Sequence, residues 1–153
     1  MGYAYDFGSI MHYGPKYFTK NGRTTIKVRK EYREWSDLLG NRKALSYLDI
    51  AQVRAMYQCN TLPSKESKRT CIKKSTAGRD YRGTLSYTEK GVWCQPWHEN
   101  YPHKSKFKLD DSSDGLGRHN HCRNPQGSRE RPWCYTTKRQ EEWQYCDLKF
   151  CED

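Results

Sequence analysis

Long hydrophobic runs are missing from this sequence. No stretch of about 18 apolar residues occurs, which excludes a helical membrane span. The start, Met1-Gly2-Tyr3-Ala4-Tyr5-Asp6, has neither a basic head nor an apolar core, so it does not read as an export leader. Asp at position 6, where Ser or Thr is needed, argues against myristoylation. No CxxC pair occurs, which leaves little basis for a zinc knuckle. No HExxH occurs either, so no helix presents two imidazoles one turn apart. Internal repeats and low-complexity tracts are also absent. Hydrophobic residues make up 34% of the 153, charged residues 30%, and mean hydropathy is -1.17. A chain so polar builds a large single core poorly and is expected to rely on crosslinks.

Cysteine and positive charge are abundant by contrast. Six of the seven cysteines lie between Cys71 and Cys151, and Cys59 stands apart. An even group in a short segment reads as a disulfide framework, formed in an oxidising compartment, with fifteen pairings open to it. The odd thiol, Cys59, calls for a partner that this chain does not offer. Net charge is +10, which favours acidic partners such as glycosaminoglycans. An extracellular disulfide domain seldom meets nucleic acid, so no nucleic-acid or membrane partner is expected.

The clearest helical signal is LSYLDIAQVRAMYQC, residues 45–59, with one helix predicted over about 46–58. Ser46 is a good N-cap, Asp49 follows three residues later, and Leu45 and Ile50 stand at the staple positions. Ile50, Val53 and Tyr57, with Met56 adjoining, form the face expected to pack. Ile26-Lys27-Val28 alternates like a short strand. Residues 60–70, NTLPSKESKRT, read as a linker. Thereafter the composition turns aromatic and cysteine-rich, and residues 152–153 form a tail. KSKFK (104–108) puts Lys104, Lys106 and Lys108 on one face if extended. With Lys68, Arg69, Lys73 and Lys74 they form a candidate heparin-like patch. HNHC (119–122) holds two histidines beside a cysteine and reads as a surface pair rather than a metal site. Glu31 and Glu34 have no histidine partner and read as surface charges.

The blocks YRGTLSYTEKGVWCQPW (81–97), CRNP (122–125), PWCYTT (132–137) and WQYC (143–146), with all six cysteines in order, resemble a kringle over residues 71–151. The resemblance implies the bridges Cys71–Cys151, Cys94–Cys134 and Cys122–Cys146, and a small, mostly irregular fold with short strands. Trp93, Trp97, Tyr81 and Leu116 read as its core. Resemblance also implies a ligand trough at Trp133, Tyr135 and Trp143, although the same three rings would serve equally as half-buried packing residues. The two carboxylates that would hold a ligand ammonium are replaced by Gln126 and Ser128, and Glu142 stands where a basic residue is usual. A partly desolvated ammonium needs a carboxylate, so strong binding of C-terminal lysine is not expected. Arg129 and Arg131 border that end instead.

YDFGSIMHYG (5–14), Thr25-Ile26 and LGNRKALSYLDIAQVRAMYQC (39–59) together resemble the C-terminal part of an astacin-family zinc endopeptidase. The fold class implied is an α+β fragment over residues 1–59, followed by the kringle. Resemblance assigns Met11 to the Met-turn floor beneath the zinc, and Tyr13 to a mobile zinc ligand that stabilises the oxyanion. In the parent enzyme, zinc-activated water would hydrolyse peptide substrates. The zinc ligands belong to HExxHxxGxxH, which these residues do not contain, so no bound metal and no activity are expected of this chain. The missing leader, the missing zinc helix and the odd Cys59 all lead to the expectation of an incomplete, secreted peptidase. The alternative is a non-enzymatic extracellular kringle module.

Overall fold

The computed structural model describes residues 2–59, 71–109 and 112–151. The linker at 60–70, with Lys68 and Arg69, and the tail at 152–153 lie outside the described residues. The chain divides into two compact units: Tyr5–Val53, and Met1–Ala4 together with Arg54–Asp153.

In the Tyr5–Val53 unit the main element is helix α1, Tyr47–Met56, which continues past the unit's last residue. Its start is built by a reciprocal cap. Ser46 Oγ accepts from the Asp49 N–H at 2.9 Å, and Asp49 Oδ2 accepts from the Ser46 N–H at 3.0 Å. Two N–H groups that helix geometry leaves without partners are thereby satisfied. The buried face of α1 carries Leu48 and Ala51, not the predicted one. Ile50, Val53, Met56 and Tyr57 are exposed, and so is Leu45, so the staple buries nothing. The physical reason is the narrowness of the buried stripe: within one turn only the Leu48 and Ala51 positions point inward.

Residues Lys30–Leu38 form a 3-10 helix with no buried residue. Its Tyr32 ring lies 5.6 Å from Phe7, one of the unit's few buried side chains. Glu31 and Glu34 on it are exposed. The predicted strand at 26–28 does not form. Ile26 and Val28 are half-buried and Lys27 exposed, as alternation requires, but among the described residues no strand pairs with them. The Thr25 and Ile26 N–H groups instead both reach Pro15 O.

Among the described residues, the second unit has a single two-stranded sheet, β1 (Trp133–Tyr135) antiparallel to β2 (Trp143–Tyr145). Trp133 faces Tyr145, Cys134 faces Gln144 and Tyr135 faces Trp143. Aromatic residues suit a pleated, half-buried surface, which is why WCY and WQY are the segments that pair. Three disulfides join Cys71 to Cys151, Cys94 to Cys134 and Cys122 to Cys146. The four inner sulfurs lie within 4.8 Å of one another in the centre of the core. Around them pack Trp97, Trp133, Tyr135, Tyr81, Leu116, Ile72 and Leu148, all buried. Trp93, expected in this core, is only half-buried, with the Arg54 guanidinium 4.2 Å above its ring.

With so little sheet, buried side chains serve the backbone groups that strands would otherwise pair. Gln95 donates to Glu99 O and His103 O, each at 2.7 Å, and accepts from the His103 N–H. Asn124 donates to Ala77 O and Arg129 O and accepts from the Arg129 N–H. Arg123 donates to the carbonyls of Gly115, Gly83 and Cys122. Burial, then the nearby Arg82 charge, lowers the Arg123 guanidinium to about 10, so it remains protonated at neutral pH. Residues 2–4 belong to this unit as well: Tyr3 bridges Lys138, and the Ala4 N–H reaches Thr137 O.

Candidate functional site

Two places collect the residues singled out from sequence. The first is the turn at 5–14. The Ser9 Oγ–H donates to Asp49 Oδ1 at 2.7 Å and the Ile10 N–H to Asp49 Oδ2 at 3.0 Å. Asn41 Nδ2 donates to Gly8 O, and Arg42 Nη1 to Ile10 O. The same carboxylate that caps α1 therefore anchors the turn. Burial alone would raise the Asp49 carboxyl, but donors from Ser9, Ile10 and Ser46 outweigh it and hold the group below its ordinary range. Asp6 goes the other way. Burial raises it, and the Asp49 charge adds to that against the opposing Ser46 hydrogen bond.

Within this frame Met11 is 77% exposed and Tyr13 47% exposed. Tyr13 lies in an open aromatic group, 5.3 Å from Tyr17 and 5.2 Å from Phe18. The Arg42 guanidinium stands 5.8 Å from its ring and 5.6 Å from that of Tyr17. His12 is committed at both nitrogens. Nδ1 contacts Tyr13 O at 2.7 Å, and because a carbonyl only accepts, that nitrogen carries the proton. Nε2 is then the acceptor for the Tyr5 hydroxyl at 2.8 Å. No other histidine belongs to the Tyr5–Val53 unit. Catalytic zinc needs three protein ligands around an open position, and this donor set of one engaged imidazole and one exposed tyrosine does not fit the ion. Among the described residues, the only grouped metal-ligating side chains are Cys94, Cys122, Cys134 and Cys146. These are consumed by disulfides. Cys59 is unpaired and half-buried.

The second place is the aromatic face over β1 and β2. Trp133 and Tyr135 are 5.2 Å apart and Trp133 and Trp143 6.0 Å apart, so the three predicted rings do meet. They do not form an open trough. Trp133 and Tyr135 are 1% and 3% exposed, packed on Trp97 and Phe107, and only Trp143 is half-buried. Over Trp143 lies Arg129, its Cζ 3.3 Å from that ring centroid and 4.6 Å from that of Trp133. The chain's own guanidinium thus covers the aromatic surface that an external cation would use. Arg131 behaves similarly over Tyr145, at 4.5 Å, but is paired with Glu89 at 2.6 Å. Gln126 and Ser128 are exposed and supply no charge. Lys106 faces Glu142 at 3.9 Å.

Sequence reasoning placed Arg129 beside this face but not on it. The signal that positions it is Asn124, whose buried amide clamps the Arg129 backbone from five residues away. The two histidines of HNHC are also closer knit than a surface pair. Their rings stack at 4.6 Å, and both are half-buried. His119 Nδ1 accepts from the His121 N–H, and His121 Nδ1 contacts Ser86 Oγ at 2.8 Å. Burial lowers both imidazoles, with Arg123 adding to it at His119, and His119 and then Arg123 at His121.

The family model for the kringle domain matches residues 71–151. The model for the astacin peptidase family matches residues 1–58. The first match spans more than half of the chain.

Proposed function

The chain belongs to the kringle family, with an astacin segment ahead of the kringle, and from that premise we propose that it is a piece of a secreted zinc metalloendopeptidase whose kringle is a partner-binding module. In the whole enzyme, zinc held by residues outside this sequence would activate water for peptide-bond hydrolysis. Met11 would lie beneath the metal, and Tyr13 would be free to approach the oxyanion. Residues 1–59 serve as the peptidase part, residues 60–70 as a linker and residues 71–151 as the kringle. The single observation that carries this reading is the turn at 5–14. It is held in shape by Asp49, yet its Met11 and Tyr13 are exposed, and among the described residues no set of metal ligands accompanies them. The chain by itself does not hydrolyse peptides.

Three disulfides in one small domain support an extracellular location. No helix among the described residues is long and apolar enough to cross a membrane. The kringle's partner is not a C-terminal lysine, because Arg129 covers Trp143 and neither Gln126 nor Ser128 can neutralise an ammonium. The test is hydrolysis of a quenched-fluorescent peptide library by the purified chain, with and without added zinc. No turnover is expected. Zinc-dependent turnover abolished by a chelator would overturn the reading.

A further inference from the structure

The segment Lys104–Lys108 and Arg129 are anchored on the same ring. Phe107 packs 5.9 Å from Trp133, and Trp133 lies 4.6 Å under the Arg129 guanidinium. The segment is further held where the Lys106 N–H meets the Tyr135 hydroxyl at 3.3 Å and the Ser105 N–H meets Asn100 Oδ1. Inward Ser105 and Phe107 alternate with outward Lys104, Lys106 and Lys108, all three exposed. An extended chain places such alternate residues about 6.5–7 Å apart. The chain bends at Phe107, where the Phe107 N–H also meets Ser105 Oγ, so the result is a group of three exposed lysines on one segment beside a fourth cation stacked on Trp143.

Among the described residues no carboxylate pairs with Lys104, Lys108 or Arg129, and Arg129 Nε is buried without a hydrogen-bond partner. The carboxylate that pairs with this row, among the described residues, is Glu142, facing Lys106 across 3.9 Å with both groups open to water, a pair weak enough to exchange. A half-buried guanidinium on an aromatic face keeps its outer N–H edge for an oxyanion.

We propose that this face of the kringle binds a linear sulfated polysaccharide, with Lys104, Lys106 and Lys108 tracking the sulfates and Arg129 receiving one of them. A flexible linear polyanion can follow several exposed cations on one surface segment and on Arg129 better than a folded acidic surface does. The inference rests on the kringle being the binding module, and it is independent of whether the astacin segment ever belonged to an active enzyme. In ligand sign the face is the reverse of an ammonium trough.

The test uses the full chain on immobilised heparin, with binding measured at several salt concentrations. The triple variant K104S/K106S/K108S is expected to weaken binding about 100-fold, from about fivefold per lysine near an anionic surface. Arg129→Gln is expected to weaken it about tenfold through loss of a charge-assisted bond. Because the three lysines are exposed, intact near-UV dichroism is expected for the triple variant. Removing Lys16, Lys20 and Arg23 from the other unit changes net charge by the same amount and is expected to change binding less than twofold. Equal losses in the two triple variants would show a net-charge effect and overturn the proposal. So would competition by polyglutamate as effective as by heparin, which would point to an acidic protein, or undiminished binding to desulfated heparin.

Discussion

Replacing Asp49 by Ala removes one carboxylate from two jobs at once. The Ser9 hydroxyl and the Ile10 and Ser46 N–H groups lose their acceptor, at 2.7, 3.0 and 3.0 Å. A buried charge-assisted bond contributes about 1.5–3 kcal/mol, but this carboxylate is partly open to water, so about 1 kcal/mol for each bond is appropriate. The expected loss is about 3 kcal/mol, or about 150-fold in the local opening equilibrium. The buried apolar residues of the unit are few, Phe7, Leu48 and Ala51 among them, so that loss should be visible. Hydrogen–deuterium exchange of the full chain, read by peptide, is the assay. Segments 5–14 and 47–56 should exchange faster, while 133–145 serves as an internal reference that does not change. Asp49→Asn keeps an acceptor oxygen and should lose about tenfold. The wild-type protection should also fade in acid. Asp49 lies below its ordinary value, so its contribution is complete above the unfolded value of about 3.9 and is lost as pH falls through the folded one. Unchanged protection of 5–14 in Asp49→Ala would refute the claim that Asp49 holds the turn.

Gly40 has φ +83°, and a Cβ there would stand 2.7 Å from Gly14 Cα. Gly40→Ala should therefore cost more than the roughly 1–2 kcal/mol of left-handed backbone alone, and the same exchange experiment reads it at 5–14. Replacing Cys122 and Cys146 together by Ala removes a bridge that closes 24 residues. The cost is about 3.5 kcal/mol from the unfolded chain, lowering the melting temperature of the kringle by about 15–25 °C. His103, His119 and His121 all lie below their ordinary value because of burial. Their contribution is complete above about pH 6.5 and lost as pH falls through the folded values. Calorimetry should thus find the kringle less stable at pH 5 than at pH 7.5, with a shallower slope for His119→Gln/His121→Gln.

What the sequence made legible was mostly local or carried by resemblance. The cap at Ser46 and Asp49 needs only a spacing of three, and the structure forms both of its bonds. Tyr81, Trp97 and Leu116 are buried as their apolar bulk suggested. The lysine row alternates because period two is a property of any extended segment. The helix face was misjudged because Ile50, Val53 and Met56 are apolar on a thin unit that buries only Leu48 and Ala51. The arrangement on the aromatic face was not legible for a different reason. Nothing in PWCYTT or WQYC says that Arg129 will lie flat on Trp143, since that depends on a buried Asn124 and a turn at Gln126 and Gly127 with positive φ. Gln95, Arg123 and Asn124 are residues usually exposed, and their burial became evident only once their carbonyl partners, up to 47 residues distant, were in place.

The central proposal is that the turn at 5–14, held by Asp49 and read as a metallopeptidase turn, does not retain zinc in this chain. Elemental analysis of the purified chain, incubated with zinc and then dialysed at neutral pH, tests it most directly. Zinc far below one ion per chain is the predicted result; one tightly retained zinc per chain, lost on Tyr13→Phe or His12→Ala, would contradict it.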